Sequence, residues 1–218
     1  MRSADDQHVL VSYLTLRRVV GALGVLLPVA LVVGNRLLGG IGLEYSISDY
    51  YGTPVRDVFV GVLFAIGWFL FSYRGYERAD DIAGDLAWLF AMGVALFPTT
   101  SQDPTVRLLH FVSAGLLFGV LAYFALFLFT KSSPGIQPTR AKRIRNKIYR
   151  ICGVTMLLCI AGIGVFQGWF ADSEIATAHP VFWLESLALW AFGWSWFVKG
   201  ETLVKDRNVP WQPLGEIE

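Results

Sequence analysis

Asp57, His110 and Glu185 are ionisable side chains inside apolar segments of this sequence, where a charge is costly. Asp85 is also inside such a segment, but it lies about one turn from the opposite end and is the exception to the pattern. Ionisable residues within a membrane-spanning helix are functional candidates by default, because hydrocarbon does not solvate them. At about 1.5 Å of rise per residue, Asp57, His110 and Glu185 all lie roughly 5–10 Å below the same end of their predicted helices. We therefore predict one polar layer at this end of the molecule, with His179 beside it at the start of the last helix.

Metal-dependent hydrolysis is one chemistry that this layer could perform. Imidazole and carboxylate groups suit zinc, which makes His110, His179 and Asp57 the candidate ligands and Zn²⁺ the candidate cofactor. A zinc ion with an open coordination position activates water, which could then cleave an ester or amide bond of a lipid. The candidate catalytic side chains are Asp57, Glu185 and Ser48. The sequence contains no His-x-x-x-His or Cys-x-x-Cys spacing that would specify such a site.

Lipid binding without chemistry is a second interpretation of the same layer. The candidate ligand-binding residues are Asp49, Tyr50, Tyr51, Arg56 and Arg107. The two guanidinium groups would hold a phosphate, because their planar donors match its oxygens. Tyr50 or Tyr51 would donate hydrogen bonds to the head group.

A purely structural network is the third interpretation. Arg56 and Arg107 would then pair with Asp57 and Glu185, and His110 would be a hydrogen-bonded histidine of the core.

The stretch Ser46-Ile47-Ser48-Asp49 contains two hydroxyl groups that could suggest a nucleophile. It lacks a G-x-S-x-G elbow, and no histidine lies near it in the sequence. A turn followed by a helix cap is therefore the expected structure of this stretch, because serine and aspartate side chains bond readily to nearby backbone groups.

The composition indicates what kind of protein carries these residues. The chain has 218 residues, of which 55% are hydrophobic and only 16% charged. Soluble domains carry about 25% charged residues, and disordered chains carry more. The net charge of +1 disfavours a nucleic-acid partner. We predict an integral membrane protein whose partners are membrane lipids.

Hydrophobic segments of about the length needed to cross a bilayer predict an all-α fold of six transmembrane helices. The predicted domain covers residues 19–198, between an N-terminal segment 1–18 and a polar tail 199–218, with a basic loop at 131–147. The predicted spans are, approximately, 19–38, 55–73, 82–97, 106–130, 149–167 and 180–198.

The basic residues predict the orientation of these spans. Of the 18 Lys and Arg residues, only Arg36, Arg56 and Arg107 fall on the side of the polar layer. Positive charge accumulates in cytoplasmic loops, so both termini and the basic loop are expected in the cytoplasm. The polar layer then lies near the extracytoplasmic leaflet of a multi-pass protein of the plasma or inner membrane.

Small residues predict where the helices pack closely. The third span has alanine at every fourth position from Ala83 to Ala95, and the fourth span contains Gly115-x-x-x-Gly119. The alanine ridge is also a candidate seam for a homo-oligomer.

Two stretches resemble the DRAM/Sfk-like family of six-span membrane proteins. The stretch Tyr45 to Gly67, YSISDYYGTPVRDVFVGVLFAIG, is similar to the family's first loop and second span. The stretch Leu109 to Phe124 is similar to its His-x-x-x-Ala-x-x-x-Phe helix, which His110, Ala114 and Phe118 match. This resemblance implies a function in lipid composition or membrane organisation.

A fainter resemblance links the chain to the alkaline ceramidase and adiponectin receptor superfamily of seven-span zinc hydrolases. Ser48, Asp57, His110 and His179 are similar to the serine, aspartate and histidines of that superfamily. Its late His-x-x-x-His pair is replaced here by one histidine and Glu185. The leading expectation is a protein that recognises or handles a lipid in the extracytoplasmic layer. The alternatives are a zinc-dependent lipid amidase or esterase and a non-catalytic membrane scaffold.

Overall fold

A computed structural model describes residues 4–40, 43–75, 77–132, 137–171 and 173–200. All regular secondary structure in these ranges is helical, which confirms the predicted all-α class. Two short 3-10 helices cover Ser48–Gly52 and Glu174–Ala178, and a π-helical turn, Phe124–Leu128, continues the fourth main helix. The main helices are α1 (Ala4–Leu37), α2 (Arg56–Ser72), α3 (Arg78–Leu96), α4 (Pro104–Tyr123), α5 (Arg140–Trp169) and α6 (Pro180–Lys199).

Four of these helices are long and apolar enough to cross a membrane. They are α1 from Tyr13 onward, α4 with its π-helical turn, α5 and α6. Helix α2 has 17 residues, and α3 has 19 residues that include three aspartates. The chain is therefore an all-α protein of the membrane class, and a crossing by α2 and α3 remains an expectation.

Two helices begin earlier than the hydrophobic spans indicate. Helix α1 begins at Ala4, inside the segment predicted to precede the first span, and α5 begins at Arg140, inside the predicted basic loop. The Thr139 side chain caps α5 by accepting the backbone N–H of Lys142 at 3.0 Å. Arginine and lysine are good helix formers, so apolarity marks only the part of a helix that crosses lipid. The predicted tail beyond residue 200 lies outside the described residues.

The six helices form a closed ring in which each packs against the next and α6 returns to α1. The contact between α1 and α6 depends on two facing glycines. A β-carbon on Gly21 would lie 2.8 Å from the Gly193 carbonyl oxygen, and one on Gly193 would lie 2.6 Å from the Gly21 carbonyl oxygen. The helices approach this closely because neither position carries a side chain.

Aromatic side chains fill one end of the ring. The Trp196 ring lies 5.2 Å from Tyr73 and 5.3 Å from Phe129, measured between centroids, and Phe129 lies 5.4 Å from Tyr149. Their edge-to-face geometry is the favourable one for aromatic pairs. This cluster occupies the end at which α2 and α6 finish and α5 starts. The opposite end contains the polar layer.

The two predicted small-residue seams have different outcomes. The alanine ridge of α3 is buried within the single chain, with Ala87 and Ala91 fully inaccessible, so it is not available as a seam between copies. Gly115 and Gly119 of α4 face open space. They line an apolar groove of about 440 Å³ between α3 and α4 instead of a helix contact.

Candidate functional site

The segment between α1 and α2 folds back over the polar end of the ring. Tyr50 anchors it, because this side chain is completely buried and its ring lies 6.3 Å from that of Phe182. The Tyr45 carbonyl accepts the backbone N–H of Phe182 at 3.1 Å. Burial raises the pKa of the Tyr50 phenol, so the hydroxyl stays protonated at neutral pH. The ring contact and the backbone hydrogen bond to Phe182 hold the segment beside α6.

A serine turn shapes the buried part of this segment. The Ser46 hydroxyl oxygen accepts the backbone N–H of Asp49 at 3.1 Å, as expected for a turn at this stretch. The chain then enters the 3-10 helix that begins at Ser48. Ser48 is only 8% exposed, so its hydroxyl group requires a partner inside the protein.

His110 of α4 is that partner. Its Nε2 lies 2.9 Å from the Ser48 Oγ, and its Nδ1 lies 2.6 Å from the Phe97 carbonyl oxygen. Phe97 follows the last residue of α3, where helix carbonyls lack intrahelical partners. A carbonyl oxygen only accepts, so in the neutral ring Nδ1 carries the hydrogen and Nε2 offers its lone pair to the Ser48 hydroxyl.

Two acidic side chains flank this pair. The Glu185 carboxylate on α6 accepts the backbone N–H of Ile47, and the N–H of Ser48 also faces it. Asp49 accepts a hydrogen bond of 3.1 Å from the Thr99 hydroxyl, which lies in the connection between α3 and α4. Contacts from α4, from the connection between α3 and α4 and from α6 therefore hold the segment that carries Ser48.

These groups form the polar wall of a cavity of about 310 Å³. Ser48, Asp49, His110 and Glu185 all line it, together with Thr99. The apolar part of the lining comes from α4 and α5. It consists of Phe111, Ala114, Gly115, Phe118, Ile160, Ile163 and Gly164. The lining of the cavity is therefore amphipathic, because it combines hydrogen-bonding groups with hydrocarbon surface.

The other predicted ligand-binding residues lie outside this lining. The Arg56 guanidinium stacks over the Tyr51 ring at 4.7 Å. The Arg107 guanidinium donates to the Ser101 carbonyl oxygen at 2.8 Å. Tyr50 is buried beneath the segment. The phosphate-binding role predicted for the two arginines is therefore not supported, because both guanidinium groups are engaged away from the cavity.

The ion pairs expected of a structural network are absent from the polar layer in the ranges that the structure describes. The ion pairs found among the described residues are Arg74 with Asp85 at 3.3 Å and Lys131 with Glu77 at 2.9 Å. Neither pair includes a residue of the polar layer. His110 does have the burial and the complete hydrogen bonding that this interpretation expected of it.

The predicted zinc ligands do not converge. In the described part of the chain, no three His, Cys, Asp or Glu side chains are grouped so that they could hold a metal ion. Both ring nitrogens of His110 are occupied by hydrogen bonds. Asp57 is exposed at the start of α2, and His179 adopts a left-handed conformation with φ 53° just before α6. The residues present do not fit a zinc site, and we derive no step through a metal.

Three contributions to the site were not identified from the sequence: the Phe97 carbonyl, Thr99 and Gln167. A backbone carbonyl leaves no signal in the residue types. Thr99 lies in a polar connection that resembles any other loop. Gln167 could have been identified, because it is a polar residue at the C-terminal end of the fifth apolar segment and lines the cavity.

Comparisons with family models, with curated proteins and with solved structures find no match to this chain.

Proposed function

We propose that this protein binds a membrane lipid in the cavity between the Ser46–Asp49 stretch, α4, α5 and α6. The observation that carries the proposal is the amphipathic lining. A lipid presents a polar head and an apolar tail. The polar residues of the lining complement the head, and the apolar residues complement the tail. The head group would face Ser48, Asp49 and Glu185, and the acyl chain would lie along Phe118 and Ile160.

The polar wall favours a particular kind of head group. Its acidic side chains, Asp49 and Glu185, accept hydrogen bonds, and no arginine or lysine is among the residues that line the cavity. Head groups that donate hydrogen bonds, such as hydroxyl, amide or ammonium groups, fit this wall better than a bare phosphate does.

The same proposal includes six membrane crossings with the cavity on the extracytoplasmic side. Helices α2 and α3, with 17 and 19 residues, would be roughly 25 and 28 Å long, which approaches the hydrocarbon thickness of about 30 Å. Basic residues at the aromatic end support the orientation. Arg17 bonds to the Lys199 carbonyl, Arg18 to that of Gly200, and Lys142 to that of Phe129.

Filling the cavity tests this function. A side chain at Gly164 meets open space on the cavity wall, so Gly164→Leu should fold normally and occupy the volume of the lipid. Gly168→Leu is the matched control, because Gly168 also faces open space on α5 but does not line the cavity. We expect lipid that co-purifies with the wild type and with Gly168→Leu to be lost from Gly164→Leu.

Native mass spectrometry of the detergent-purified protein measures this difference directly. Bound lipid appears as a resolved mass increment, and extraction identifies its head group. An equal lipid occupancy in Gly164→Leu and Gly168→Leu, or a wild type that carries no lipid, would contradict the proposal.

A further inference from the structure

We propose that Ser48 and His110 are a nucleophile and its general base, and that they act on the acyl ester bond of the bound lipid. This inference rests on the proposed function, because the cavity must first admit the lipid. Lipid binding alone does not require the hydrogen bond between Ser48 and His110, and the inference assigns a reaction to this pair.

The geometry of the pair carries the inference. A hydroxyl group becomes an effective nucleophile when a base within about 2.6–3.2 Å removes its proton and a third group orients that base. The distance from Ser48 Oγ to His110 Nε2 is 2.9 Å, and the Phe97 carbonyl holds the other ring nitrogen at 2.6 Å. The carbonyl fixes the tautomer that leaves Nε2 free to accept a proton.

The surroundings of the pair suit acyl transfer. Ser48 and His110 both line the cavity, and apolar side chains of α4 and α5 line the same cavity. The carboxylate of Asp49 lies on the same wall, where a negative charge stabilises the imidazolium that forms during the step. Glu185 occupies the N–H groups of Ile47 and Ser48, so these are not oxyanion donors. The Gln167 side chain supplies an amide donor on the cavity wall.

The reaction proceeds in two balanced steps. The Ser48 Oγ attacks the ester carbonyl carbon, its proton passes to His110 Nε2, and the bond to the lipid alkoxy oxygen breaks. The leaving alcohol takes the proton from His110, and the acyl group remains on Ser48. Water then attacks the acyl carbon while His110 Nε2 takes a proton from it. The bond between the acyl carbon and Ser48 Oγ breaks, and His110 returns the proton to Ser48 Oγ. The products are a fatty acid and the alcohol, and no redox change occurs.

An active-site-directed label tests the assignment on the full-length protein in lipid nanodiscs. An alkyl fluorophosphonate should phosphonylate Ser48, with loss of fluoride, and peptide mass spectrometry locates the modified residue on the wild type without relying on any variant. Ser48→Ala should lose the label. Ser173→Ala, at a serine outside the cavity lining, should retain it. His110→Gln should slow labelling and the hydrolysis of p-nitrophenyl palmitate by about 10²–10⁴-fold.

The lipid occupancy of the same samples separates this inference from the proposed function. If the wild type carries lipid but Ser48 is not modified, or if Ser48→Ala hydrolyses the ester as fast as the wild type, the nucleophile assignment is overturned and lipid binding stands. If the wild type carries no lipid, the proposed function itself fails.

Discussion

Glu185 stabilises the segment that carries Ser48, because its carboxylate on α6 accepts a backbone N–H from Ile47. Ile47 is 4% exposed, and no water molecule would readily replace this acceptor. An unpaired buried N–H costs about 1–3 kcal/mol. The side chain predicted as a catalytic candidate is therefore a hydrogen-bond acceptor for the backbone of the residue that precedes Ser48.

The substitution Glu185→Ala should destabilise the fold by about 1–3 kcal/mol, because the Ile47 N–H loses its acceptor. Thermal unfolding in detergent measures the change. Glu174→Ala is the control, since Glu174 is exposed in the short helix before α6. Equal unfolding temperatures for the two variants would contradict this role.

Position along a helix was predictable for single residues, but direction around the helix was not. Counting residues from the helix ends placed Asp57, His110 and Glu185 in one layer. Only His110 and Glu185 line the cavity, while Asp57 points outward. The Ser48 and His110 partnership joins positions 62 residues apart, and no local spacing records such a contact.

At the scale of elements, the close crossing of α1 and α6 determines how α6 is placed against the rest of the ring. Gly21 and Gly193 allow the two backbones to meet, and the Trp190 indole N–H donates to the Val25 carbonyl oxygen at 3.1 Å in the same contact. Because α6 also carries Glu185, this crossing positions one wall of the cavity.

The substitution Gly193→Val should separate the two helices, because its β-carbon would lie 2.6 Å from the Gly21 carbonyl oxygen. Forcing extra atoms into a packed contact costs about 1–3 kcal/mol. Unfolding in detergent measures the loss, and Gly61→Val controls for the intrinsic effect of valine, since Gly61 faces open space. A Gly193→Val protein as stable as Gly61→Val would show that the crossing is not tight.

Helices were predictable where they are apolar, and their ends where a capping residue is present. Asp103 stands directly before Pro104 and the fourth apolar segment, a pattern typical of a helix cap, and its side chain accepts the Thr105 N–H at 2.8 Å. The early starts of α1 and α5 were missed, because polar helical turns carry no hydrophobic signal. The seam expected at Gly115 and Gly119 was misplaced, since small residues permit a close contact without requiring one.

At the scale of the whole molecule, the two ends of the helix ring differ in chemistry. One end is filled by aromatic side chains and bordered by basic residues, and the other contains the amphipathic cavity. If the basic end faces the cytoplasm, a lipid reaches the cavity from the extracytoplasmic leaflet. Composition was sufficient to predict the membrane class. It could not predict the cavity, which depends on how four separate segments meet.

The most direct test of lipid binding in the cavity is photocrosslinking from one leaflet at a time. A photoactivatable acyl lipid is confined to the outer or the inner leaflet of sealed vesicles of known orientation, and the adducts are mapped by mass spectrometry. We expect the extracytoplasmic probe to modify Phe118, which is only 9% exposed, and to lose this adduct in Gly164→Leu. Adducts restricted to outward-facing side chains such as Leu158, or a Phe118 adduct formed only from the cytoplasmic leaflet, would contradict it.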